Sequence, residues 1–275
     1  MKKLMIACAA ALVGLSAAQA ADITSANVVG YQTITINPGF NLISLNFEPM
    51  TEDGEIDIQD LIQDKDSLVA GNGSASSDQI QIWDGEKFAL YYYRAYKANN
   101  PGKFTLGPCW VDINNAGVRA DVKLNRGLGV WFARPESETA GAITLAGEVG
   151  QATKNLPINP GFNMIGSAFP VAVSVNAEDC PIKWADCAVA GNGSASSDQI
   201  QIWDGEKFAL YYYRAYKGNN PGKFTLGPCW VDINNAGVKA DLTIPAGTGF
   251  WYARPESESE GVLPQVSPIA PVVVE

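Results

Sequence analysis

Val69–Val118, VAGNGSASSDQIQIWDGEKFALYYYRAYKANNPGKFTLGPCWVDINNAGV, returns as Val189–Val238 with a single change, Ala98 to Gly218. The likeness extends outward more loosely. Asn37-Pro38-Gly39-Phe40-Asn41-Leu42-Ile43 matches Asn159-Pro160-Gly161-Phe162-Asn163-Met164-Ile165, and Gly127-Leu128-Gly129-Val130-Trp131 matches Gly247-Thr248-Gly249-Phe250-Trp251. The offset is 120 in the centre and 122 upstream. A period of that size is a whole domain rather than a solenoid unit. The organisation expected is two tandem homologous domains, 26–147 and 148–267, followed by a tail at 268–275.

Within each copy the pattern is that of strands. Tyr31–Ile36 alternates with period two before a Pro38-Gly39 turn, and Gln79–Trp83 and Lys87–Tyr96 read as a hairpin around Asp84-Gly85. A three-residue loop with Gly85 in the left-handed region, pairing Ile80 with Phe88, is expected to close it. That register puts Ile80, Ile82, Phe88, Leu90 and Tyr92 on a core face. The opposite face then carries Gln79, Gln81, Trp83, Lys87, Tyr91 and Tyr93. Between the two, Thr51–Asp66 is acidic, and Ile56, Leu61 and Ile62 suggest one short helix. Short strands separated by Gly, Pro and Asn turns predict an all-β fold, a β-sandwich or partly open β-barrel in each domain.

The Gly39-Phe40-Asn41-Leu42-Ile43 strand, the Ile82-Trp83-Asp84-Gly85 turn and the closing Gly127-x-Gly129-Val130-Trp131 give the chain a resemblance. It is similar to exported all-β repeat proteins of planctomycete- and verrucomicrobia-type bacteria. The resemblance covers most of both repeats and implies export and a β-rich module. It brings no catalytic residues with it.

Composition removes whole classes of chemistry. The 275 residues include no His, which excludes Ser-His-Asp and Cys-His nucleophiles and His-ligated metal. A net charge of −10 argues against a nucleic-acid partner. The N-terminus reads as a signal peptide, residues 1–20: Lys2 and Lys3, an apolar stretch to Leu15, and cleavage after Ala18-Gln19-Ala20. Export to the periplasm, cell surface or extracellular space is therefore expected. No later segment is apolar enough over the length needed to span a membrane.

The candidate binding residues are Trp83, Tyr91, Tyr93, Gln79 and Gln81, with their copies Trp203, Tyr211, Tyr213, Gln199 and Gln201. Flat rings flanked by amides suit sugars, the rings covering C–H patches and the amides satisfying hydroxyls. The competing reading is that a second sheet or the other domain covers this face. Carboxylates are the only acid–base groups left, and the spacing of Asp84, Glu86, Asp112 and Asp121 selects no glycosidase pair. Asp84 is already explained by its turn. The acidic stretch from Glu52 to Asp66 lacks a calcium-loop pattern, so no metal or cofactor is expected. Cys180 and Cys187, present only in the second copy, are expected to form a disulfide, with Cys109 and Cys229 reduced. The function expected is that of a non-catalytic structural or adhesive surface or periplasmic protein, with surface proteins or a cell-surface glycan as partners. The alternative is a carbohydrate-binding module, and less favoured is a carboxylate-based glycoside hydrolase. Oligomeric state stays open.

Overall fold

The computed structural model describes residues 28–49, 55–95, 106–215 and 226–268. The expected signal peptide and the tail from 269 onward lie outside them.

The first half runs β1 (Val29–Ile36), β2 (Gly39–Ser44), β3 (Ile56–Asp57), β4 (Gln79–Trp83), β5 (Phe88–Arg94), β6 (Cys109–Asp112), β7 (Lys123–Leu124), β8 (Gly129–Arg134) and β9 (Gly141–Glu148). The second half repeats this as β10 (Lys154–Ile158), β11 (Gly161–Gly166), β12 (Val173–Ser174), β13 (Gln199–Trp203), β14 (Phe208–Arg214), β15 (Cys229–Asp232), β16 (Thr243–Ile244), β17 (Gly249–Arg254) and β18 (Gly261–Gln265). The fold is all-β, with no α-helix among the described residues. Each half builds one antiparallel five-stranded sheet, in the order β2-β8-β4-β5-β6 and β11-β17-β13-β14-β15. A two-stranded ribbon, β1-β9 or β10-β18, and a short pair, β3-β7 or β12-β16, complete each half. Neither five-stranded sheet closes into a barrel, and the arrangement is sandwich-like.

Each half has its own core. Ile80, Tyr91, Tyr93, Trp110, Val130 and Phe132 on one face of the first sheet pack against Ile36, Ile143 and Leu145 of the ribbon. In the second half Ile200, Tyr213, Trp230, Phe250 and Tyr252 cluster with Leu156, Ile158 and Leu263. Period-two alternation in β1 and β4 supplies this burial directly: one set of side chains faces the sheet beneath, the next faces out.

The hairpin register departs from the expectation. Trp83 lies opposite Phe88 and Ile80 opposite Tyr91, so the connection is the four residues Asp84–Lys87. The Asp84 N–H donates to the Lys87 carbonyl at 3.1 Å. The Asp84 carboxylate accepts the Glu86 and Lys87 N–H groups, both at 2.9 Å, which holds it below the usual carboxylate range. A shift of one residue in loop length turns every side chain of the second strand over. Tyr91 and Tyr93 therefore enter the core, and Phe88 and Leu90, expected inside, face outward; Phe88 is 39% exposed. The short helix expected near Ile56–Ile62 is absent: β3 pairs with β7 there, and Ile58, Leu61 and Ile62 enter the core from a turn.

The expected disulfide does not form. Cys180 and Cys187 are both free, as are the buried Cys109 and Cys229. The turn at Trp184–Asp186 sends the two thiols to different neighbours. Cys180 packs in the core beside Trp184, whereas the Cys187 sulfur accepts an Arg254 Nη2–H at 3.1 Å.

These second-half groups make a testable difference. Tyr252 stands where the first half has Phe132, and its hydroxyl donates to the buried Asp198. Burial, then the Asp198 charge, pushes the Tyr252 phenol far up, and burial likewise raises the Cys180 and Cys187 thiols. Groups held protonated by the fold stabilise it fully below their unfolded pKa and lose that contribution as pH rises above it. The urea midpoint of the wild type is expected to fall more steeply between about pH 9 and pH 11 than that of Tyr252→Phe. Parallel declines would contradict this.

Candidate functional site

The residue register decides what the outer face of each sheet displays. In the first sheet Phe40, Trp131, Gln81, Trp83, Phe88 and Leu90 share it, because Gln81 lies opposite both Trp131 and Leu90 and Trp83 opposite Phe88. In the second, Phe162, Trp251, Gln201, Trp203, Phe208 and Leu210 repeat the pattern.

The two outer faces meet along a seam. Trp83 Nε1 donates to the Phe162 carbonyl at 2.9 Å, and Trp203 Nε1 donates to the Phe40 carbonyl at 3.0 Å. These are the same contact made twice in opposite senses, the signature of a pseudo-two-fold axis. The backbone repeats it: Ser44 N–H to Gly247 O at 2.8 Å, and Gly166 N–H to Gly127 O at 3.0 Å. Four ring pairs cross the seam edge-on. Trp83–Trp251 and Trp131–Trp203 have centroids 5.5 and 5.8 Å apart, and Phe88–Trp251 and Trp131–Phe208 are at 6.1 and 6.3 Å. Edge-to-face geometry at these separations is the favourable arrangement of ring quadrupoles.

The ten residues singled out from sequence divide accordingly. Trp83 and Trp203 are half-buried seam residues, each partly covered by the other module. Gln81 and Gln201 sit half-buried beside Trp131 and Trp251. The Gln79 and Gln199 amides are taken up locally, donating to the Ser74 and Ser194 carbonyls at 2.8 and 3.0 Å. Tyr91, Tyr93 and Tyr213 are buried, Tyr211 is half-buried against the core, and all four belong to the opposite face. The tyrosines are thereby withdrawn as a platform.

Sequence reasoning missed Phe40, Trp131, Phe162 and Trp251. Their signal was the alternation in β8, where Trp131 faces out and Phe132 in, and the repeated Gly-x-Gly-x-Trp motif. Phe40 and Phe162 are each 50% exposed and lie edge-on to Trp131 and Trp251. The result is a continuous aromatic floor across both modules, partly open to solvent and edged by two glutamines.

Two of the four candidate carboxylates are engaged locally: Asp84 is held by its turn, and Asp112 accepts the Asn114 N–H at 2.7 Å. No group of three or more metal-ligating side chains occurs among the described residues. No helix among them is long and apolar enough to cross a membrane. Comparison of the chain with protein-family models, curated proteins and solved structures finds no match.

Proposed function

We propose that this is an exported, non-catalytic structural or adhesive protein of the periplasm or cell surface, in which the two modules act as one rigid unit. The observation carrying this reading is the reciprocal seam. Independent catalytic or transport modules have no need to fuse their outer faces through matched indole–carbonyl bonds, whereas a load-bearing or adhesive unit gains from fixed geometry. The N-terminal sequence supports export, and the turn-engaged Asp84 and Asp112 support a role without acid–base chemistry.

One observation favours a second reading, carbohydrate binding. Gln81 beside Trp131 and Gln201 beside Trp251 pair an amide with a partly open ring on the same floor, twice over.

Fractionation of the native host tests the first reading. The mature chain should begin at Ala21 and be recovered with the envelope or medium, and beads coated with it should be retained on the host surface. Cytoplasmic, uncleaved protein that leaves beads unretained would contradict it. A broad glycan array with the folded mature chain decides the second reading, and silence across the array would remove it.

A further inference from the structure

The residues beside the seam differ between the two pseudo-symmetric sides, and one side holds a cleft. It lies between the Asp84–Lys87 turn of one module and β10 and β11 of the other, with a volume of about 470 Å³. That is within the range of small-ligand sites. Trp83 and Pro157 contribute apolar walls, and Asn125 and Asn155 contribute amides. Arg126 and Lys154 also line it. Their counterparts across the axis are Ala246 and Gln32, and Gln32 is spent: its carbonyl accepts from Asn46 and its amide lies against Gly247.

Arg126 is the unusual member. It is 3% exposed; its Nη2 reaches Glu48 Oε1 at 2.8 Å and donates to the Ala152 carbonyl at 3.5 Å, while the guanidinium stacks 4.9 Å over Phe169 and packs with Nη1 against Gly150. Nε and Nη1 are buried without a hydrogen-bond partner among the described residues. Buried donors are almost always satisfied, and an orphaned charged one is costly. Burial disfavours the Arg126 charge, and Glu48 offsets that only in part. Lys154, half-buried at the same cleft, forms no ion pair among the described residues. The one carboxylate on the lining, Asp84, is engaged by its own turn. In a chain with 29 acidic and 19 basic residues, two cations converging on one cleft invite an anion from outside.

We infer that this cleft binds an acidic saccharide, its carboxylate meeting Arg126 and Lys154 and its ring face lying on Trp83. The carboxylate supplies an acceptor to the Lys154 ammonium and to the unpaired Nε of Arg126. Trp83, whose indole N–H is committed to Phe162, offers its ring for C–H contact, and the asparagines offer amides to hydroxyls. The inference rests on the saccharide reading of the seam and shares Trp83 and Phe162 with the aromatic floor, but it places the charge on Arg126 and Lys154.

Calorimetric titration of the mature chain with trigalacturonic acid, neutral galactotriose and inorganic sulfate tests it. The acidic trisaccharide should bind about tenfold or more tightly than the neutral one, the scale of one charge-assisted contact. Lys154→Gln and Arg126→Gln should each weaken it by about tenfold, while Lys207→Gln, on the exposed turn of the other module, leaves it unchanged. Should Arg126→Gln fail to fold, Lys154→Gln carries the test alone, being half-exposed and without an ion pair among the described residues. Equal affinity for acidic and neutral sugars, sulfate binding as tight as the trisaccharide's, indifference to Lys154→Gln, or no binding at millimolar concentration would each overturn the inference. Neutral-glycan binding that survives Lys154→Gln would leave the floor reading standing while this one fails.

Discussion

Replacing Asp78 with Ala is expected to destabilise the first module by about 3–5 kcal/mol, the range for stripping one partner from a buried ion pair. Arg134 grips Asp78 in a fork, Nε to Oδ1 at 3.0 Å and Nη2 to Oδ2 at 2.8 Å. The Asp78 side chain is 0% exposed and that of Arg134 4%. The same carboxylate accepts the Val69 N–H at 2.9 Å, so its loss orphans a backbone donor as well as a guanidinium. The pair ties the loop before β4 to the end of β8. The second module repeats it with Asp198 and Arg254, adding the Tyr252 hydroxyl. Urea unfolding of Asp78→Ala beside Asp78→Ala/Arg134→Met decides the matter. The double variant should be less damaged than the single, because no buried charge is left alone. A single-variant loss under about 1 kcal/mol would contradict the burial described here.

The second large effect concerns how the modules meet. A methyl group on Gly249 would sit 2.6 Å from the Ile43 carbonyl oxygen, and one on Gly129 would sit 2.7 Å from that of Ile165. Both obstacles are backbone, which cannot swing aside as a side chain can. Gly129→Ala/Gly249→Ala is therefore expected to part the seam while leaving each core intact. The four cross-seam ring pairs, at about 0.5–1.5 kcal/mol each, put the lost coupling at roughly 2–6 kcal/mol. Calorimetry should show one cooperative transition in the wild type resolving into two in the variant. An unchanged single transition would mean that the modules do not couple through this contact.

Much of the architecture was legible in the sequence, for identifiable reasons. The near-identity of Val69–Val118 and Val189–Val238 required two like folds, and strict alternation in Gln79–Trp83 put Ile80 inward and Trp83 outward. The same alternation could not set the parity of Phe88–Arg94, because that depends on one residue of loop length between Trp83 and Phe88. Three consecutive tyrosines carry no alternation of their own to correct it. The seam was invisible for a different reason. It is built from Phe40, Gly129, Phe162 and Gly249, whose role depends on a partner surface in the other module, Phe162 meeting Trp83 79 residues away and Phe40 meeting Trp203 163 away. The cysteine pairing failed because spacing alone says nothing of direction, and Arg254 takes the Cys187 thiol.

Two duplicated modules dock face to face about a pseudo-two-fold axis, with Trp83 and Trp203 exchanged between them. Nuclear Overhauser contacts between assigned tryptophan rings of the mature chain test this docking. Cross-peaks are expected between Trp83 and Trp251 and between Trp131 and Trp203, with the Trp83 and Trp203 indole N–H protons protected from exchange. Absence of both cross-seam contacts, together with indole protons exchanging as fast as free tryptophan, would contradict it.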